Sequence, residues 1–346
     1  MNKKLKISSK IHNYEVVFNT NLKNSFTSFK ENTVFIIDSN VYSIYLKNII
    51  RNKKYIKLSS NEGTKDFLNL KKLINFFIKN VSKNTLVIAI GGGVIQDVTS
   101  FLSSIFKRGV DWNFFPTTII SQGDSCIGGK TSINYNKLKN QLGNFYPPKK
   151  IIINSSFLKN ISKKEIFSGL GEMGHYFLLS NNQDYKYYRE FMFNFSKKKK
   201  LDFNKIIYKS LKIKKKYIEK DEFDKNIRLK LNYGHTFGHA LENLSVIPHG
   251  IAVAHGMNIS NFVSYKLGYL DFNQYSNMSE TLSIILKKYP IKKINIKKFL
   301  EIMRKDKKSI NKKIRVILSK GIGKMFLKNI NNEKKFTEIL KDYFSK

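Results

Sequence analysis

The stretch LVIAIGGGVIQDVTSFLSSIF (86–106) runs from an unbroken apolar segment through three glycines into a helical pattern. An apolar run without polar alternation is the pattern of a buried strand, and a strand feeding a helix in this way belongs to an α/β sheet. VFIID (34–38) and YIKLS (55–59) show the same pattern, and NFFPTT (113–118) and KIIIN (150–154) add two further strands. Together they predict a parallel sheet with crossover helices. Beyond about residue 156 this cadence stops. Helical spacing takes over in 163–180, 203–219, 234–245 and 250–267, with RVILS (315–319) as an isolated strand. The expectation is an α/β domain over 1–156 and a mostly α-helical domain over 157–346, which 346 residues can accommodate. No internal repeat stands out.

Composition limits what such a chain does. The formal net charge is +38, which invites a nucleic-acid partner. Lys, however, supplies 57 of the 63 basic residues and Arg only six, whereas nucleic-acid surfaces favour the bidentate Arg fork. The lysines are spread along the chain with abundant Asn, Ile and Phe, as A/T-rich codon bias produces, and KKKK (197–200) is expected to be an exposed loop. The expectation is no nucleic acid, with a positive field that suits an anionic small molecule. No apolar run approaches the ~18 residues of a membrane span, and the basic N-terminus lacks the apolar region of a signal peptide. Cys126 is the single cysteine, so an internal disulfide is excluded and a cytoplasmic protein is expected.

Several segments carry chemistry. Gly91–Gly93 would let backbone approach a pyrophosphate at a helix N-terminus, or would simply make a tight strand-to-helix turn. The spacing is not GxGxxG. Asp38, ending an early strand, suits either a ribose hydroxyl or a helix N-cap. PTTIISQGDSCIGGKTSIN (116–134) and KNQLGNFYPPK (139–149) set Asp124, Lys130, Lys139 and Asn140 in an irregular region, as surface decoration or as a site. Five of the six histidines lie between 175 and 255. GLGEMGHYF places Glu172 and His175 at i,i+3, GHTFGH places His235 and His239 at i,i+4, and HGIAVAHGM adds His249 and His255. One carboxylate and two imidazoles from separate helices would form a three-ligand zinc site with an open position. Any one of these histidines alone would suit a packing or capping role. Thr236 occupies the general-base position of HExxH, which excludes that peptidase signature.

In order and spacing, IGGGVIQDVTSF, FKRGV, FPTTIISQGDSCIGGKTSIN, KNQLGNFYPPK, GLGEM, DEFDKNIRLKLNYGHTFGHALE, HGIAVAHGM and KDKK resemble the 3-dehydroquinate synthases of the sugar-phosphate cyclase superfamily. The resemblance spans most of the chain. It implies a Rossmann-like NAD-binding domain, a helical metal-binding domain, an active site in the cleft between them and a homodimer. It gives Glu172, His235 and His249 as ligands to Zn or Co, with His239 serving substrate hydroxyls and proton transfer. Arg108, which could reach across a dimer, joins Lys130, Asn140, Asn232 and Lys308 as the phosphate set. Lys214 and Arg228 form the carboxylate set, and Asp124 and Lys139 line the same pocket. For NAD the matching positions are Asp38, Glu62, Lys65, Gly92, Gly93, Asp97, Thr117 and Thr118. The implied activity is a carbon–oxygen lyase reaction of the shikimate pathway, which makes 3-dehydroquinate and phosphate from 3-deoxy-arabino-heptulosonate 7-phosphate through a transient oxidation.

Three positions depart from the family pattern. His175 stands where the family usually has Lys, Gln96 replaces a glycine of the GGGVxGD turn, and Ile251 replaces the acid of HGEAVA. His175 would face the metal, which keeps a sister cyclase with another sugar phosphate as an alternative. A metal-dependent NAD polyol dehydrogenase is a second alternative, although it has no need of Arg228, Lys214 or Lys130.

Overall fold

A computed structural model describes residues 3–19, 21–27, 29, 31–136, 138–291, 294–305 and 314–345. The chain packs as two compact units, Met1–Ile161 with Lys215–Phe223, and Ser162–Lys214 with Asp224–Lys346. The short segment Lys215–Phe223 thus packs with the first unit.

The first unit contains strands β1 (Lys4–Ile7), β2 (Tyr14–Phe18), β3 (Thr33–Asp38), β4 (Lys54–Leu58), β5 (Leu86–Gly91), β6 (Trp112–Pro116), β7 (Ile133–Tyr135), β8 (Leu138–Leu142) and β9 (Lys150–Ile153). Seven form one sheet in the order β1-β2-β9-β6-β5-β3-β4. It is parallel from β2 to β4, and only the β1–β2 pair is antiparallel. β3 and β6 are buried along their whole length, as strands covered on both faces must be. Helices α1 (Lys71–Asn80) and α2 (Gly93–Ile105) flank β5 in sequence. Phe35, Ile37, Ile88, Ile90 and Phe115 make the core on one face, with the Phe26 ring stacked 4.7 Å from that of Phe115. The chain steps outward from β3 to β4 and then crosses to β5 on the other side of β3. That reversal makes a topological switch point at the carboxyl ends of β3 and β5, where open α/β sheets bind ligands.

In the second unit α3 (Lys163–Leu179) is started by a capping box of Ser162 and Glu165. α4 (Asn182–Ser196), α5 (Phe203–Ile218), α6 (His235–Leu244) and α7 (His249–Lys266) follow, then α8 (Phe272–Leu286) and α9 (Ile296–Lys305). β10 (Arg315–Ser319) pairs antiparallel with β11 (Met325–Asn329), so RVILS is one strand of a hairpin, and α10 (Glu333–Phe344) ends the described chain. α7 is buried from Gly250 to Ser264 and has no polar face, which makes it the central helix. Its Ile259 and Phe262 join Phe237, Phe299, Leu318 and Phe336 in one core cluster. No helix among the described residues is long and apolar enough to cross a membrane. KKKK (197–200) is an exposed turn.

Candidate active site

In the first unit the residues matched to NAD gather at the carboxyl ends of the parallel strands. Asp38 ends β3, Gly92 and Gly93 follow β5, Thr117 and Thr118 follow β6, and Glu62 and Lys65 lie in the 3-10 turn after β4. A Cβ on Gly93 would meet no heavy atom within 4 Å, whereas one on Gly92 would stand 3.0 Å from Thr118 Cγ2. The start of α2 therefore has an open face beside its N-terminus, where free N–H groups and the helix dipole favour a phosphate. This is a cradle that a side chain would fill. Asp38 is engaged locally. Its Oδ1 accepts from the amides of Asn40 and Val41 at 2.8 and 2.9 Å, and its Oδ2 accepts from Ser60 Oγ. It caps the short helical turn that follows, whatever else it binds.

Lys65 links two of the expected groups. Its Nζ lies 2.7 Å from Asp97 Oδ2 and donates to Asn140 Oδ1 at 2.9 Å. Burial pushes the Asp97 carboxyl up to about 6, against the charge of Lys65 and its hydrogen bond, which pull it down. Asn140, expected to touch phosphate, has a left-handed φ of 57°, and its backbone N–H donates to Asn134 Oδ1 at 2.9 Å. Asn134 in turn donates to Glu62 Oε2 at 2.8 Å. β7 and β8 are the frame of this network, so part of the region read as irregular, 133–135 and 138–142, forms two short antiparallel strands.

Asp124 is half-buried in the turn Ser121–Ser125, whose first three residues are buried. Gln96 on α2 donates to the Ser125 carbonyl and accepts from Ser125 Oγ, both at 2.7 Å. The glutamine that departs from the family turn thus pins the segment that carries Asp124. Lys130 pairs with Phe145 in an isolated bridge, Lys139 is exposed on β8, and Arg108 is exposed in the turn after α2 with φ of 61°.

In the second unit three helices converge on Glu172. A Cβ on Gly256 would stand 1.9 Å from the Gly234 carbonyl oxygen, so α6 and α7 approach backbone to backbone. That approach brings His235 and His249 over α3. His235 Nε2 is 3.2 Å from Glu172 Oε1, and His249 Nε2 is 3.5 Å from Glu172 Oε2. His175 Nδ1 is 3.7 Å from Glu172 Oε1. One ligand atom each from Glu172, His175 and His235 fall within 4.8 Å of one another. The ring of His239 lies 5.6 Å from those of both His235 and His249. Burial would raise the Glu172 carboxyl, but the charges of His235 and His249, the His235 hydrogen bond and His175 hold it well below the usual range. Oε2 of this buried carboxylate accepts no hydrogen bond among the described residues. A buried anion ringed by imidazoles with an oxygen to spare is a donor set that fits a divalent cation. His255 differs: its Nε2 donates to the Tyr289 carbonyl at 2.8 Å, and it is a packed histidine.

Arg228 is buried in the 3-10 helix Ile227–Asn232, which also carries Asn232, whose Nδ2 donates to the Leu229 carbonyl at 3.0 Å. Lys214 on α5 is buried with its Nζ 6.0 Å from the Tyr176 ring centroid. Lys308 lies outside the described residues. One residue of this cluster was absent from the expectations. Glu242 accepts from His249 Nδ1 at 2.9 Å, and the signal for it was its spacing, two turns beyond His235 on the same helix face.

The family model described as 3-dehydroquinate synthase N-terminal matches residues 55–168, and the one described as 3-dehydroquinate synthase C-terminal matches residues 169–309. A 3-dehydroquinate synthase of Helicobacter pylori (strain P12) is 36% identical over 304 residues, covering 85% of this chain and 87% of its own. Among solved structures, 2-deoxy-scyllo-inosose synthase complexed with carbaglucose-6-phosphate, NAD+ and Co2+ superposes with a TM-score of 0.86 at 20% identity, covering 98% of this chain and 99% of that one. Glycerol dehydrogenase from Schizosaccharomyces pombe superposes with a TM-score of 0.63 at 15% identity, covering 95% and 88%. These two structural likenesses show a shared fold. The paired family matches and the identity over most of both sequences go further: the chain belongs to the 3-dehydroquinate synthase family.

Proposed function

We propose that the protein is an active 3-dehydroquinate synthase, converting 3-deoxy-arabino-heptulosonate 7-phosphate into 3-dehydroquinate and phosphate with NAD and a divalent cation, Zn or Co. The observation that carries this reading is the buried Glu172 carboxylate faced by His235 and His249, in a chain of this family. When bound, NAD would supply reversible hydride acceptance for oxidation at C5, and the cation would supply the Lewis acidity that lowers the pKa of the C5 alcohol.

The chain's own residues do the rest. Glu172, His235 and His249 would hold the cation. The domain proposed over 1–156 would hold the nucleotide, its pyrophosphate at Gly92 and Gly93 and its other groups at Asp38, Glu62, Lys65, Asp97, Thr117 and Thr118. Arg228 and Lys214 bind the substrate carboxylate, and the Arg fork fixes its orientation through two parallel hydrogen bonds. Arg108, Lys130, Asn140, Asn232 and Lys308 would bind the phosphate, and Asp124 and Lys139 would be further substrate contacts. His239 holds or passes a proton at an imidazole nitrogen beside the substrate hydroxyls. His175 would contact substrate without the permanent charge of the family lysine. Much of the catalysis in this scheme is orientation and preorganised charge. A homodimer in the cytoplasm completes the proposal, supported by the family resemblance alone.

The sister-cyclase reading rests on His175, which stands beside Glu172 where the family has Lys. One experiment separates the alternatives. The protein is incubated with NAD+, Zn2+ and either the heptulosonate phosphate or sedoheptulose 7-phosphate, following phosphate release, product identity and net NADH. Release of phosphate with 3-dehydroquinate and no net NADH is expected. Turnover of sedoheptulose 7-phosphate alone, or net NADH from a polyol, would overturn the assignment.

A further inference from the structure

We propose that Glu242 is a positioning residue for the metal centre, fixing the tautomer and orientation of His249; this rests on reading His249 as a ligand. A neutral imidazole carries one ring proton, and an ionised carboxylate can only accept. With Glu242 Oε2 at 2.9 Å from Nδ1, the proton is held on Nδ1. The lone pair of Nε2 is then directed to the side where Glu172 Oε2 lies, 3.5 Å away. An outer carboxylate also makes the ring a stronger donor to a cation.

The two imidazoles proposed as ligands, His235 and His249, are oriented by different means. His235 has its Nδ1 3.3 Å from the Tyr233 carbonyl, so backbone sets its tautomer. His249 is the first residue of α7, after Pro248, and 37% of its side chain is exposed, so close packing does not fix the ring. The partner of its Nδ1 is a side chain, Glu242, and a side chain can be removed. Glu242 sits on α6 in register with His235, which couples both imidazoles to one helix.

The test is Co2+ binding to the metal-stripped full-length protein, read by calorimetry and by the visible spectrum of the bound ion. Glu242→Ala removes charge and acceptor, whereas Glu242→Gln keeps volume and a neutral acceptor. Glu242→Ala should raise the Kd roughly 10- to 100-fold, the usual effect of losing an outer-shell partner, with Glu242→Gln between it and the native protein. Apo-protein melting temperatures should stay close together, since Glu242 is partly exposed; if Glu242→Ala does not fold, the Gln variant carries the test. Native affinity in the folded variants overturns the proposal. No Co2+ bound by the native protein, or native affinity in His249→Ala, overturns instead the ligand reading beneath it, and the proposal with it.

Discussion

Gly250 faces the carbonyl oxygen of Ser168 so closely that a Cβ would stand 1.8 Å from it. Helices α7 and α3 therefore touch through backbone at the level of His249 and Glu172. Gly250→Ala must push them apart, and overpacking a buried contact costs about 3 kcal/mol, more if nothing yields. The variant should unfold at lower urea concentration and lose bound metal. A native unfolding midpoint would show that this contact does not set the helix spacing.

His249→Ala should abolish stoichiometric metal binding, while His175→Lys should retain it, because the proposal places His249 and not His175 in the coordination shell. The added cation of His175→Lys should also lower KM for the heptulosonate phosphate. Metal analysis and steady-state kinetics check both. Loss of the native reaction in His175→Lys would point to a different natural substrate.

Arg228 is buried, so its guanidinium is costly to place unless it is paired. A lysine keeps the charge but not the two-pronged geometry. Arg228→Lys should lower kcat/KM by at least about tenfold, the scale of one charge-assisted hydrogen bond. Equal turnover of the two proteins would make Arg228 a structural residue.

Lys65 restrains the Asp97 carboxyl, which burial has already pushed up to about 6. Removing the ammonium in Lys65→Met takes away the effect that lowers this pKa, so it must rise further. A larger share of Asp97 would then be protonated near neutral pH, and NAD+ binding should weaken. Carbon-13 titration of the Asp97 carboxyl together with NAD+ calorimetry reads both. A downward move of the titration midpoint would contradict the pairing.

His255 is pushed down to about 4 by burial, with the Tyr289 carbonyl opposing that shift. The folded pKa lies below the unfolded value of 6.5, so between these limits the unfolded chain binds more protons. Stability from this group is complete above pH ~6.5 and is lost as pH falls towards ~4, a change of order 3 kcal/mol. The native protein should lose that much more than His255→Gln when urea unfolding at pH 7 and pH 4 is compared. Parallel pH profiles would rule out His255 as the titrating group.

The strands covered on both faces were legible because continuous apolar runs such as TVFIID and WNFFP have no other good use. β8, LKNQL, is exposed at every position and carries no periodic signal, so its hairpin with β7 escaped notice. β1, KLKI, does alternate, but it is short and masked by lysine. Glu172 and the histidines were legible as pairs within helices, because i,i+3 and i,i+4 spacing is a local property. Their meeting point was not, since it depends on glycine contacts between helices far apart in sequence. Asn140 is the clearest case: its acceptor oxygen goes to Lys65, a partner that only the hairpin brings near.

The sheet of the first unit also dictates an order of assembly. β2 pairs in parallel with β9, Glu15 opposite Lys150, so the N-terminal hairpin has no partner on that edge until almost the whole sheet has been synthesised. The amides of Ser8 and Lys10 wait longer still, for the carboxylates of Glu219 and Glu222. Closing loops of this length is slow, and an unpaired strand edge is adhesive meanwhile. A fragment ending at residue 156 would lack those carboxylates altogether. The first unit should thus mature only after part of the second has left the ribosome, which ties the birth of the nucleotide site to that of the helices beyond it.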